Sequence, residues 1–156
     1  MITLYHGSNV KIESVCLDRC SPYKDFGKGF YLTDIEEQAR QMAIRRTRIA
    51  GEGSPTVTVY TFDERLLNDS SLQVKIFDKP SKEWALFVLA NRKGIAGQHY
   101  DIVIGPIADD GVAFQLERYM RRMITLETLV EGLTYRKLNR QYFFGTELSI
   151  SKLQRL

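Results

Sequence analysis

Cysteine and histidine are scarce in this 156-residue chain, which has two of each, with a single tryptophan and four prolines. Cys16 and Cys20 stand four apart, with no second cysteine pair and no neighbouring histidine. That is too few ligands for a structural zinc site and the wrong spacing for a dithiol redox motif, so both read as reduced, structural thiols. His6 and His99 cannot build a histidine-rich metal centre, and no metal is expected. No apolar run is long enough to span a bilayer, and none near the start has the form of a secretory leader. A cytoplasmic location and no membrane partner are therefore expected.

Charge of one sign is also missing. The net charge is +3, too mild to imply a polyanionic partner by itself. Basic residues gather as Arg45, Arg46 and Arg48, as Arg118, Arg121 and Arg122, and as Arg136, Lys137 and Arg140. These are read as solvated helix faces rather than phosphate contacts. Repeats, low-complexity tracts and linkers are absent, so one domain over residues 1–156 is expected. Familiar catalytic signatures are missing too. Gly27-Lys28-Gly29 lacks the Ser/Thr and the glycine spacing of a phosphate-binding loop, and no nucleophile elbow surrounds Ser8. Asp109-Asp110 reads as the start of a helix rather than as an acid–base pair.

What is present is a mixed order of elements. Ile2 to His6 reads as a strand ending at a Gly-Ser turn, and Phe30 to Leu32 as a second. Thr33 and Glu36 have capping-box spacing, predicting a helix from Thr33 to Gly51 with Ile35, Ala39, Met42, Ala43 and Ile49 on its apolar face. Thr56 to Phe62, rich in β-branched and aromatic residues, predicts a strand. Gln73 to Phe77 predicts a weaker strand, and Ser81 caps a helix to about Lys93. Asp101 to Gly105 reads as a buried strand. Helices follow over Val112 to Met123 and Leu126 to Leu138, the latter broken near Gly132. Gln141 to Thr146 is the last strand, before a short tail. Strands at both ends with helices between them predict an α+β fold.

Two segments carry chemistry. Leu4-Tyr5-His6-Gly7-Ser8 joins hydrogen-bonding side chains to a glycine that lets a ligand approach the backbone. Phe26-Gly27-Lys28-Gly29-Phe30-Tyr31-Leu32-Thr33 does the same around an aromatic ring suited to stacking. Together they resemble the ADP-ribosyltransferase superfamily, in its poly-ADP-ribose-polymerase-like branch with a His-Tyr-Glu signature. The first is similar to that branch's His-Gly-Ser strand, the second to its Phe-Gly-Lys-Gly-aliphatic-Tyr segment. The chain also resembles a small bacterial family of unknown function that shares both segments and an element similar to Tyr100 to Asp110.

The resemblance implies split antiparallel β-sheets with flanking helices, and NAD, as substrate, in the cleft between them. His6 would bond the adenosine ribose, the Gly7 backbone would hold the nicotinamide carboxamide, and Tyr31 would stack on the nicotinamide. Ser8, Gly27, Lys28, Gly29 and Phe30 would complete the binding surface. Cleavage of the nicotinamide–ribose bond builds an oxocarbenium-like charge, which the family's glutamate stabilises. Here Gln141 stands in that position, beside His6 and Tyr31 as the implied catalytic set. Losing such a charge costs about 3–4 kcal/mol of transition-state stabilisation. Three consequences are open: slow turnover, a substitute carboxylate from Asp109, Asp110 or Glu147, or binding without turnover. Ala39 and Met42 stand where the polymerases carry a serine and an aromatic residue. The implied activity is transfer of ADP-ribose from NAD to a protein or nucleic-acid acceptor. The alternatives are an inactive binding module, NAD hydrolysis or RNA 2′-phosphotransfer. Toxin-like behaviour and an antitoxin-like partner are family-level expectations.

Overall fold

Strict alternation in Thr56-Val57-Thr58-Val59-Tyr60-Thr61-Phe62 puts Thr58, Tyr60 and Phe62 on one buried face, as a strand's period of two requires. In a computed structural model describing residues 1–156, this segment is β3 (Thr56–Phe62). It pairs antiparallel along its whole length with β1 (Ile2–Ser8), from Ile2 opposite Phe62 to Ser8 opposite Thr56. The tail is not featureless: β7 (Gln154–Arg155) pairs with Tyr60 and Thr61 on the other edge of β3, giving a sheet of order β1-β3-β7.

The second sheet has the order β2-β6-β5-β4, with β2 Phe30–Leu32, β4 Val74–Ile76, β5 Ile102–Pro106 and β6 Arg140–Phe144. β6 runs antiparallel to both neighbours, but β4 and β5 are parallel. The expectation of purely antiparallel sheets is corrected at that pair. Helix α2 (Lys82–Arg92) occupies the connection from β4 to β5, the long crossover a parallel pair requires. The fold is α+β with two sheets, as the element order predicted.

The sheets meet at one place. Tyr5 and Thr33 exchange backbone hydrogen bonds of 2.8 and 3.0 Å, an isolated antiparallel bridge between β1 and the end of β2. Apolar side chains from both sheets fill the space between them, among them Leu4, Phe30, Leu32, Phe62, Ile102, Tyr142 and Phe144. The opposite face of the second sheet, carrying Val103 and Phe143, is covered by α2, α3 (Asp110–Met120) and α4 (Leu126–Leu133). Trp84 of α2 is fully buried there, its indole N–H donating to the Pro106 carbonyl.

Several boundaries differ from expectation for physical reasons. β1 continues through Gly7 and Ser8 instead of turning at them. Helix α1 (Glu36–Ala50) starts three residues later than Thr33. Thr33 is committed to the bridge, and its hydroxyl accepts from the Ile35 N–H and donates to Gln38 Oε1, so no capping box with Glu36 forms. Of the predicted apolar face of α1 only Ala39 and Ala43 are buried, while Ile35, Met42 and Ile49 are exposed. The reason is close approach: a Cβ on Gly7 would collide with the Ala39 carbonyl oxygen, so the helix rests on the strand through its smallest residues. Gly51 ends α1 in the left-handed conformation. Helix α4 stops at Leu133, and Gly132 lies within it without a break. A four-residue helix, α5 (Glu147–Ile150), precedes β7.

Candidate functional site

The site forms where the two sheets part. Tyr5 and Thr33 are a hydrogen-bonded pair, so antiparallel continuation would next pair Gly7 with Tyr31. That pair does not form. The imidazole of His6 takes the Tyr31 carbonyl instead, at 2.7 Å from Nδ1. A carbonyl only accepts, so Nδ1 carries the proton and Nε2 of the neutral ring is an acceptor. Burial pulls the His6 pKa down from 6.5 to about 4, with Arg46 adding to the depression against the raising effect of the Tyr31 carbonyl. His6 is thus neutral at physiological pH, held against the Phe30 ring at 4.3 Å between centroids.

The parting has a consequence for Gly7. Strand alternation turns its N–H and C=O to the same edge as those of Tyr5, away from β3. At Tyr5 that edge is closed by Thr33; at Gly7 the partner strand's carbonyl is already taken by His6. The side of Gly7 where a side chain would stand faces α1.

Tyr31 is held from its far end. Its hydroxyl donates to the Gly27 carbonyl (2.6 Å) and accepts from the Phe26 N–H (3.0 Å), and burial pushes its pKa up. The ring leans on Phe143 at 5.1 Å between centroids and stays partly exposed. Gly29 is demanded by the same packing, since a Cβ there would run into the Phe143 ring and approach the Phe144 carbonyl to 2.8 Å. Gly27 adopts a φ of 106°, open to glycine. These glycines therefore have an internal reason to be glycine, independent of any ligand.

A cleft of about 460 Å3 opens beside these residues. His6, Ser8, Gly29, Phe30 and Tyr31 form its inner wall, the segment from Val10 to Lys24 its outer rim, and Arg46 of α1 one end. Its charge is one-sided: Lys11, Arg19, Lys24 and Arg46 face a single carboxylate, Glu13. Glu13 is already engaged by Arg155, at 2.9 Å, and by Lys11, at 3.8 Å. Both cysteines, Cys16 and Cys20, also line the cleft as free thiols, with burial pushing the Cys20 thiol up.

Of the residues singled out from sequence, His6, Ser8, Gly29, Phe30 and Tyr31 line this opening, and Gly7 is buried between His6 and Ser8. Lys28 faces solvent outside the cleft lining, and Gly27 sits behind Tyr31. Gln141 lies on β6 opposite Gly105, on the same sheet face as Phe143, and does not line the cleft. Its amide Nε2 is buried with no hydrogen-bond partner. None of the substitute carboxylates lines the cleft either. Asp109 caps α3 by accepting from the Val112 N–H at 2.8 Å, as its helix-start reading anticipated, Asp110 opens α3 and Glu147 opens α5. His99 Nε2 donates to the Gly145 carbonyl at 2.7 Å, so Nε2 carries the proton.

Arg46, expected on a solvated helix face, is instead partly buried and makes no ion pair or hydrogen bond within the chain. Its phase in the sequence sets it apart: Arg46 lies seven residues after Ala39 and three after Ala43, on the helix face those alanines bury. Among His, Cys, Asp and Glu side chains, no group of three or more is placed to hold a metal ion. No helix is long and apolar enough to cross a membrane.

Among known proteins, the model of one family, described as a protein of unknown function (DUF3990), matches residues 2–155. No curated protein and no solved structure matches. The match spans both sheets and the whole cleft, and the chain belongs to the DUF3990 family.

Proposed function

We propose that this chain is an NAD-binding domain of ADP-ribosyltransferase type, with NAD seated where β1 and β2 part. One observation carries the reading: His6 replaces Gly7 as the partner of the Tyr31 carbonyl. That exchange leaves a neutral acceptor at His6 Nε2 and the Gly7 backbone edge side by side. A ribose hydroxyl donates to the first. A carboxamide, which carries both N–H donors and a carbonyl acceptor, matches the C=O and N–H of the second. The partly exposed ring of Tyr31 adds an aromatic surface at the same opening.

In the transfer reaction, the bond between the ribose C1′ and the nicotinamide nitrogen breaks. Its electron pair neutralises the pyridinium, and an acceptor nucleophile on a protein or nucleic acid bonds to C1′ and sheds its proton. The chain's contribution would be to hold the two halves of NAD apart and exclude water from C1′. Incubation with radiolabelled NAD, with protein and with RNA acceptors supplied in turn, tests transfer. Label on neither acceptor, with no nicotinamide released, would count against it.

A second reading, binding of NAD or ADP-ribose without turnover, is favoured by a specific feature. The only carboxylate lining the cleft, Glu13, is held by Arg155 and Lys11. Calorimetry with NAD and ADP-ribose, run beside the labelled-NAD assay, separates the two. Released nicotinamide with labelled acceptor supports transfer, whereas saturable binding with no nicotinamide released supports the binding module.

A further inference from the structure

Arg46 is the one cleft cation that is both partly buried and unengaged. It stands on the buried face of α1 and lines the cleft, close enough to His6 to depress that residue's pKa. No carboxylate comes within ion-pairing distance of it. Burial lowers its own pKa, and no hydrogen bond within the chain offsets that cost. A guanidinium offers five donors in a planar fork, matched to two oxygens of one anion. Lys11, Arg19 and Lys24 line the same cleft, and all three are exposed. The cleft of about 460 Å3 therefore holds one partly buried guanidinium and three exposed cations.

We propose that Arg46 anchors a diphosphate group, taking two oxygens of one phosphate in a bidentate contact while the rim lysines and Arg19 neutralise the other. The assignment rests on the NAD-binding reading only for what lies on either side of the diphosphate; the anion site itself stands on Arg46 and the charge of the cleft. Arg46 is a binding residue here, with no part in bond cleavage.

The test is titration calorimetry of the full chain with inorganic pyrophosphate and, separately, with ADP-ribose. Wild type is compared with Arg46→Gln, Arg46→Lys and the exposed, remote control Lys79→Gln. Arg46→Gln weakens pyrophosphate binding about tenfold or more, the loss of one charge-assisted contact. Arg46→Lys, which keeps the charge without the fork and serves if the glutamine variant folds poorly, falls between the two. Lys79→Gln leaves binding unchanged. Absence of pyrophosphate binding to wild type, or equal binding to wild type and both Arg46 variants, overturns the proposal. Arg46-dependent pyrophosphate binding without any ADP-ribose or NAD binding would uphold the anion site and overturn the NAD reading. ADP-ribose binding that ignores Arg46 would do the reverse.

Discussion

His6 Nδ1 lies 2.7 Å from the carbonyl oxygen of Tyr31, in the place where a continuing β-ladder would have put the N–H of Gly7. One side chain thereby ends the contact between the two sheets and opens the cleft. The bond joins strand geometry to ligand chemistry, because it sets the tautomer of His6 and takes the carbonyl that Gly7 would otherwise bond.

The first consequence concerns pH. Above pH 6.5 His6 is neutral in folded and unfolded chains alike. Between 6.5 and about 4 the unfolded chain takes up a proton that the folded chain refuses, so stability falls as pH falls across that window. Below about 4 both states are protonated and the His6 contribution is spent. The whole effect is on the order of 3 kcal/mol. Urea unfolding of wild type and His6→Gln from neutral pH to pH 4 should show the wild type losing its advantage through this window. Parallel curves would remove the assigned role of burial.

Close approach makes three glycines behave differently. Gly7→Ala puts a Cβ onto the Ala39 carbonyl, backbone that cannot step aside, and should cost at least about 3 kcal/mol. Gly29→Ala meets a side chain, Phe143, and should cost about 1–3 kcal/mol, part of it recovered in Gly29→Ala with Phe143→Leu. Gly132 faces open space within α4, so Gly132→Ala should stabilise by about 0.5–1 kcal/mol. Thermal melts of the four variants check the order.

Gln141 carries a buried amide without a partner. Replacing it with methionine, similar in length, removes that unpaired group and should leave stability unchanged or raise it by about 1 kcal/mol. A loss of more than that in chemical denaturation would mean the amide is satisfied in solution.

The outer rim of the cleft is pinned by the last strand. Arg155 Nη1 donates to the Ile12 carbonyl and to Glu13 Oε2, both at 2.9 Å. The contacts are solvent-exposed, so Arg155→Ala should cost under about 1 kcal/mol of stability. Its larger effect should be faster proteolysis within residues 10–24 and weaker ADP-ribose binding. Unchanged cleavage of that segment would show that the rim holds itself.

The parts of this architecture legible in the sequence are those decided locally. The alternation of β3 gave its bounds at Thr56 and Phe62, and Ser81 caps α2 by accepting from the Trp84 N–H. The parallel pairing of β4 with β5 and the docking of β7 on β3 depend on partners far away in the chain, so no window of sequence contains them. Thr33 shows how a distant partner overrides a local pattern: the bridge to Tyr5 takes a residue whose spacing promised a helix cap. At the site, His6 and Tyr31 were marked by their glycine neighbours. Arg46 was hidden among arginines, and only its phase relative to Ala39 and Ala43 sets it apart.

The central claim is that the opening between β1 and β2 receives NAD, and the most direct test is calorimetric titration of the wild-type chain with NAD and ADP-ribose, alongside His6→Gln. Saturable, one-to-one binding of either ligand to wild type, weakened about tenfold or more by His6→Gln through loss of a buried hydrogen bond, is the predicted result. No heat of binding from wild type at millimolar ligand, or binding that His6→Gln leaves unchanged, would contradict it.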